Sequence, residues 1–238
     1  MNDRERDLIT ISEPRSPISE AYRTLRTNLD FASQPALRSS ASLPVAAGSP
    51  WDRALKTLVV TSAGVGEGKS TTLANLAVVS AQAGRKVILV DADLRRPMLH
   101  EIFRLGNEAG LTTAMMDEAA LASPPLQQTE VAGLSVLTSG PLPPNPAELM
   151  GSRRMEEIIA ALAERADHVF FDTPPVVAVT DAAVLATRVD GVLLVIRAGK
   201  TRRESARSAV QRLKQINARL VGAVLTNVQV GVGFKGYY

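Results

Sequence analysis

Residues 58–71 leave this chain little freedom in what it can fold into. Leu58–Ser62 is an apolar, strand-like run, Ala63-Gly64-Val65-Gly66-Glu67-Gly68 is a glycine-rich turn, and Lys69-Ser70-Thr71 opens a helical stretch. Strand, loop, Gly-Lys-Ser and helix in that order make a phosphate-binding loop, with Ala63 standing where the pattern has its leading glycine. The glycines at 64, 66 and 68 let the backbone wrap closely around phosphate oxygens and aim its N–H groups inward, at the positive end of the helix. In that arrangement Lys69 reaches the β- and γ-phosphates of a nucleotide and Ser70 binds Mg2+. A turn that merely joins a strand to a helix would have no use for the acidic strand ends found downstream. Val87–Asp91, continuing to Ala92 and Asp93, and Val169–Asp172 are two further apolar runs that end in aspartate. A buried strand needs no carboxylate at its end, whereas a magnesium ion does. Asp91 and Asp93, two apart, are expected to face the same side of an extended strand toward one phosphate site, with Asp172 completing the magnesium shell through water. For Asp93 alone the alternative is a helix cap or turn residue.

The rest of the chain supplies the layers around that loop. From Thr57 onward, β-rich apolar runs (58–61, 87–90, 134–137, 168–171, 192–196, 220–225) alternate with helical stretches (69–83, 97–105, 150–164, 203–216). This alternation predicts an α/β fold, a mostly parallel sheet with helices on both faces, of the P-loop type, and ligands in such sheets bind at the carboxyl ends of the strands. The chemistry is bounded by what is missing: with no cysteine and two histidines, thiolate metal sites, iron–sulfur clusters and a cysteine nucleophile are excluded. Carboxylates, Lys, Arg, hydroxyls and backbone must do the work. His100 and His168 read as structural. A net charge of +3, from 27 Lys and Arg against 24 Asp and Glu, permits a nucleic-acid partner without requiring one. Arg202, Arg203, Arg207, Arg212, Lys214 and Arg219 could form a basic face, yet no aromatics are interleaved and a solvated helix is the plainer reading.

Four regions are expected: an N-terminal arm and helix (1–33), a flexible loop (34–50) rich in Pro, Ser, Ala and Gly, a phosphate-loop domain (51–228), and a flexible tail (229–238). In the arm, Ser16 caps a helix that begins with Pro17, and Ile18, Tyr22, Leu25 and Leu29 form one buried stripe. No apolar run approaches the roughly 18 residues of a membrane span, so the chain reads as cytoplasmic.

Taken together, Ser16–Asn28 (SPISEAYRTLRTN), Ser62–Ala77, Val87–Pro97 (VILVDADLRRP), Leu137–Leu149, Phe171–Pro175 (FDTPP) and Val195–Thr201 (VIRAGKT) resemble the cytoplasmic kinase domain of the bacterial tyrosine kinases, or BY-kinases, that regulate capsular and exopolysaccharide synthesis. That resemblance implies transfer of the γ-phosphoryl group of ATP to tyrosine. It implies nucleotide binding by Gly64, Val65, Gly66, Glu67, Gly68, Lys69, Ser70 and Thr71, with Ser70, Asp93 and Asp172 ordering Mg2+, and Asp91 as base. Lys69, Asp91, Asp93 and Asp172 are thus the catalytic candidates. Val65 stands where the family commonly has proline. Related partitioning and septum-placement ATPases carry a lysine at the position of Gly64, and its absence here argues against them. Asn227 resembles the adenine-contacting asparagine of related ATPases, although an isolated Asn at a strand end is equally a turn residue. Glu20, Arg23 and Arg26 match a helix that packs between subunits of a ring, the alternative being a solvated face with one intrahelical ion pair. Tyr237 and Tyr238 match a phospho-acceptor tail presented to a neighbouring subunit, although the cluster here is short. The family further implies a membrane-embedded polysaccharide co-polymerase as activator, which would hold the chain at the inner face of the plasma membrane, and protein tyrosines as substrates; no nucleic acid is expected. The competing readings are a nucleotide-switch ATPase and a scaffold without tyrosine kinase activity.

Overall fold

The structure is a computed structural model that describes residues 8–32 and 54–228. The expected loop at 34–50 and the tail with Tyr237 and Tyr238 lie outside the described residues. Two helices come first, α1 (Ile9–Ser12) and α2 (Pro17–Ala32). There follow β1 (Thr57–Ser62), α3 (Lys69–Gln82), β2 (Val87–Asp91), α4 (Leu99–Phe103), α5 (Leu111–Met116), α6 (Glu118–Ala122), β3 (Gln127–Gln128) and β4 (Leu134–Leu137). The chain continues through α7 (Pro146–Gly151), α8 (Arg153–Arg165), β5 (His168–Asp172), α9 (Asp181–Ala186), β6 (Gly191–Arg197), α10 (Arg203–Gln215) and β7 (Leu220–Thr226).

The seven strands form one sheet in the order β3-β4-β2-β5-β1-β6-β7, parallel throughout except for β3, which runs antiparallel to β4. Because neighbouring strands run in the same direction, their carboxyl ends collect on one edge. Asp91 of β2 stands beside Asp172 of β5, and Asp172 beside Val60 of β1. Every residue of β1 is buried, since side chains alternate between two covered faces. Leu58 and Val60 pack with Leu73 and Leu76 of α3, whereas Val59 packs with Ile158 and Leu162 of α8 and Leu213 of α10.

Eleven of the fourteen residues of α3 are buried, more than one packed face can account for. The outer face is covered by α1 and α2: Leu8, just before α1, and Tyr22, Leu25 and Leu29 of α2 join the same apolar cluster as Leu73 and Leu76. Asn75 of α3 is the polar counterpart of that contact. Its Oδ1 accepts from the backbone N–H (3.1 Å) and hydroxyl (2.8 Å) of Thr10, and its Nδ2 donates to the Thr71 carbonyl (2.9 Å).

The cap expected at Ser16 is present, its Oγ accepting from Ser19 N–H at 3.2 Å. The apolar stripe differs from expectation at its first position: Ile18 is 51% exposed. Ser19 points inward instead, where its hydroxyl meets the carbonyls of Ile9 and Glu13 and closes the α1–α2 turn. The helix expected over 150–164 is two helices. Ser152, with an extended backbone (φ −75°, ψ 156°), ends α7 and caps α8 by accepting from Met155 N–H. The short α5, α6 and α9 have no counterpart among the expected elements, because a helix of five or six residues shows too little periodicity to be seen.

Asn75→Ala is expected to leave Thr10 unsatisfied in the interior. Each such buried group costs about 1–3 kcal/mol, which sums here to roughly 2–4 kcal/mol. A chain of this size loses about 2–4 °C per kcal/mol, so thermal unfolding should shift down by roughly 5–15 °C. An unchanged midpoint would mean that α1 is not seated on α3.

Candidate active site

The phosphate loop spans Ala63 to Gly68, between the end of β1 and the start of α3. Gly66 (φ +70°) and Gly68 (φ +88°) both sit in the left-handed region that L side chains rarely adopt, and this turns the loop over the helix end. Gly68 is the N-cap of α3 and offers no side chain, so the N–H groups of the first turn are left for a ligand. From outside, side chains grip the loop's carbonyls. Lys200 Nζ donates to Val65 O (2.8 Å) and Gly66 O (3.3 Å), Arg197 to Gly66 O (3.1 Å), and Thr226 Oγ1 to Glu67 O (2.8 Å). The Glu67 side chain is also turned into this wall, accepting from Ala63 N–H and from the Thr201 hydroxyl at 2.6 Å. Of the loop residues named from sequence, Glu67 therefore has its side chain turned away from the loop's inner face, and Val65 is 59% exposed at the rim. Val195–Thr201, matched in sequence without a role, supplies three of the four clamping side chains. A lysine or arginine in a turn carries no local signal of which distant carbonyl it will meet.

Lys69, Asp93 and Asp172 meet at the loop's inner side. Lys69 Nζ lies 2.9 Å from Asp93 Oδ2, 3.3 Å from Asp172 Oδ1 and 3.3 Å from Ser70 Oγ. Burial works against the ammonium, but the adjacent Asp172 and Asp93 outweigh it and hold the Lys69 pKa above its ordinary value. Burial pushes the Asp172 carboxyl up, with Lys69 and Ser70 opposing. Asp91 is raised well above the carboxylate range, by burial first and then by Asp172.

The two aspartates of the Asp-Ala-Asp run do not share one strand face. The sheet ends at Asp91, and Asp93 lies in the loop after it. Asp93 unites the two roles weighed for it: Oδ1 accepts from Arg95 and Arg96 N–H groups as a turn residue, and Oδ2 faces Lys69. Asp91 is wholly buried, and its Oδ2 accepts from Met98 and Leu99 N–H (2.9 Å each) at the start of α4, while Oδ1 has no partner.

In front of Lys69 and Asp93 opens a cleft of about 460 Å3 whose further wall is apolar, made by Met98, Ile102, Pro174, Pro175 and Val179. Arg95, which lines this cleft, makes a forked pair with the buried Asp181 (2.8 and 3.1 Å). The Phe171–Pro175 segment is pinned to β1 because Thr173 donates to Val60 O and Thr61 to Pro174 O. Asn227, in the left-handed region (φ +57°), donates weakly to Ala198 O and lines a second cleft beside Gly68 and Thr71. It is thus a turn residue and a cleft residue at once.

Other expectations fall away from the site. Glu20 and Arg23 pair with one another on α2, Arg23 also donates to Pro14 O, and Arg26 donates to Val79 O of α3. The basic face is broken up: Arg219 is buried, and Arg212 donates to Val176 O. His168 stacks on Phe170, with ring centroids 5.6 Å apart, as a structural residue, and His100 lies within α4. Among the described residues no helix is long and apolar enough to cross a membrane.

The family described as CobQ/CobB/MinD/ParA nucleotide binding domain matches residues 58–231. Tyrosine-protein kinase YwqD of Bacillus subtilis (strain 168) is 43% identical over 98% of this chain and 92% of its own length. The crystal structure of the chimerical protein CapA2B2 superposes with a TM-score of 0.80 at 37% identity, covering 92% of this chain and 88% of that one. For the kinase domain of Escherichia coli tyrosine kinase ETK the TM-score is 0.79 at 32% identity, over 96% and 84%.

The raised carboxyls make stability depend on pH in a set direction. A folded state that keeps a proton on Asp91 above an aspartate's ordinary pKa of 3.8 binds more protons than the unfolded chain, so stability falls as pH rises from about 4 toward the folded pKa. Asp91→Asn keeps an oxygen for Met98 and Leu99 and removes the buried charge. Without nucleotide, this variant should unfold at the same or a higher temperature than the parent at about pH 8, with a shallower fall between pH 4 and 8. A variant that is less stable at every pH would show that the carboxylate is needed where it stands.

Proposed function

Because the chain belongs to the CobQ/CobB/MinD/ParA nucleotide-binding family and, within it, to the bacterial tyrosine-protein kinases, we propose that it moves the γ-phosphoryl group of ATP to a tyrosine hydroxyl with the residues gathered at the ends of β1, β2 and β5. One observation carries this reading in preference to a hydrolytic switch. The cleft does not end at the phosphate loop but continues past Lys69 and Asp93 along an apolar wall of Met98, Ile102, Pro174, Pro175 and Val179. Water as the acceptor would need no such wall, whereas a tyrosine ring would.

The phosphates of ATP lie along the loop, with Lys69 on the β- and γ-groups and Ser70 Oγ, Asp93 and Asp172 toward the metal. Among the described residues no three His, Cys, Asp or Glu side chains are grouped to hold a metal alone. Mg2+ takes hard oxygen donors and keeps most of its shell as water and phosphate. The Ser70 hydroxyl and the carboxylates of Asp93 and Asp172, the latter with a partnerless Oδ2, fit it. When bound, Mg2+ would neutralise charge on the β- and γ-oxygens. The tyrosine oxygen forms a bond to the γ-phosphorus as the bond to the β-bridging oxygen breaks, and ADP departs. The hydroxyl proton passes to Asp91 Oδ1, which has no other partner. For that transfer Asp91 must enter the step as the carboxylate, which burial disfavours in the empty site and which the cationic charge brought by Mg2+ would favour. Since Asp91 lies behind the cleft wall, the loop carrying Asp93 to Met98 must shift for the hydroxyl to reach it.

Tyr237 and Tyr238 are the proposed acceptors, presented by a neighbouring copy in a ring in which Glu20, Arg23 and Arg26 of α2 face the next subunit. Capsular or exopolysaccharide synthesis is the proposed setting, with a membrane-embedded activator holding the chain at the inner membrane face.

Mass-spectrometric mapping of phosphotyrosine after incubation with ATP and Mg2+, with and without a candidate activator segment, tests this. Phosphate is expected on Tyr237 or Tyr238, and Lys69→Met should lower it by roughly 10²-fold or more. ATP hydrolysis with every tyrosine unmodified, activator included, would sink the kinase reading.

A further inference from the structure

The second cleft, of about 230 Å3, shares Glu67, Gly68 and Thr71 with the first but contains neither Lys69 nor Asp93. It therefore adjoins the first cleft at Gly68 and the first turn of α3, and extends away from Lys69 and Asp93. Its far walls are Arg197, Thr226 and Asn227 from the last two parallel strands and, from the other side, Tyr22 of α2. Tyr22 is the one aromatic side chain there, placed opposite an amide. Its neighbours in the α2 stripe, Leu25 and Leu29, serve packing alone, for which a leucine would do at 22 as well. The tyrosine instead reaches the rim of the cleft, where its hydroxyl is hydrogen-bonded with the side chain of the buried Thr72.

We infer that Tyr22 is a nucleoside-contacting residue: its ring forms one wall of the base pocket of ATP, supplied by the N-terminal helix and not by the phosphate-loop domain. The inference rests on the nucleotide reading above. A purine offers a flat π-face that an aromatic ring can cover whatever the base, while Asn227 can meet the base edge. The ring's position is set by the seat of α2 on α3, through Leu25, Leu29 and the Arg26 bond to Val79 O. Base binding thus favours the seated α2, and by reciprocity a seated α2 favours the base. Since α2 also carries Glu20 and Arg23, the nucleotide pocket and the proposed subunit contact share one rigid element.

Calorimetric titration of the full chain with ATP and, separately, with inorganic tripolyphosphate, both with Mg2+ in excess, tests the inference. Tripolyphosphate engages the phosphate loop but has no base. Tyr22→Leu keeps the stripe apolar and removes the ring, whereas Tyr22→Phe keeps the ring and removes the hydroxyl. The leucine variant is expected to bind ATP roughly 5- to 50-fold more weakly and tripolyphosphate within about twofold of the parent. The phenylalanine variant should bind ATP within about threefold of the parent. Equal losses for ATP and tripolyphosphate would make Tyr22 a mere support for α3 and overturn the inference. So would unchanged ATP affinity in the leucine variant, or a phenylalanine variant as weak as the leucine one. A parent chain that binds neither probe would overturn the nucleotide reading, and this inference with it.

Discussion

The structure depends most on one ammonium. Lys69, with its side chain only 12% exposed, sits between Asp93 and Asp172, whose side chains are 5% and 0% exposed. Buried charges persist only when paired and hydrogen-bonded, and here the partners come from the loop after β2 and from the end of β5. The sheet's parallel order makes that meeting possible, since Asp91 and Asp172 are in register at adjacent strand ends. Three carboxyl groups share one ammonium, so the surplus must be held in other ways. Backbone N–H groups of Arg95 and Arg96 serve Asp93, those of Met98 and Leu99 serve Asp91, and burial favours a proton on Asp91. What is left is an acceptor oxygen without a partner on each of Asp91 and Asp172, the two atoms to which the proposed reading assigns a proton and a further cation.

The phosphate loop depends in turn on what grips it from behind. A loop whose N–H groups point inward must turn its carbonyls outward, and unpaired carbonyls near a core are costly. Arg197, Lys200 and Thr226 satisfy three of them from the ends of β6 and β7. The shape of the loop is thus maintained by side chains that hold its carbonyls from behind. In the same way α3 is buried on its outer face because α1 and α2 cover it, with Asn75 bridging the layers.

How much of this is legible in the sequence depends on the range of the interactions. Gly64 to Thr71, the aspartates at strand ends and the alternating strands are local patterns, each with its own physical reason, and the sheet with its site emerges from them. The Ser16 cap is legible for the same reason. Ile18 departs from its expected place because helical spacing assigns a face but not a depth, and Ser19 has two carbonyls to satisfy at that depth. Asp91 and Asp93 do not share a face because the strand ends between them, and spacing alone cannot tell where a strand ends. Arg95 with Asp181, and Lys200 with the loop carbonyls, join positions 86 to 135 residues apart. No period or local motif encodes such a pairing. Tyr22 reads in sequence as one more apolar residue in a stripe, and only the position of α2 against the loop distinguishes it from Leu25.

The contacts of Lys69 also bear on how such a site would take up a nucleotide. An ammonium has three donors, and those of Lys69 are directed at Asp93, Asp172 and Ser70. It cannot keep all three and also reach two phosphate groups, so on the proposed reading the lysine must give up carboxylate contacts as phosphate arrives. The carboxylates it leaves would then be unpaired in a buried site, which is unfavourable unless a second cation replaces it. Triphosphate and metal therefore have to enter as a matched pair. Phosphate alone would strip the aspartates of their counter-charge, and metal alone would compete with a lysine already seated. That coupling needs no moving domain, only one flexible side chain between two fixed carboxylates.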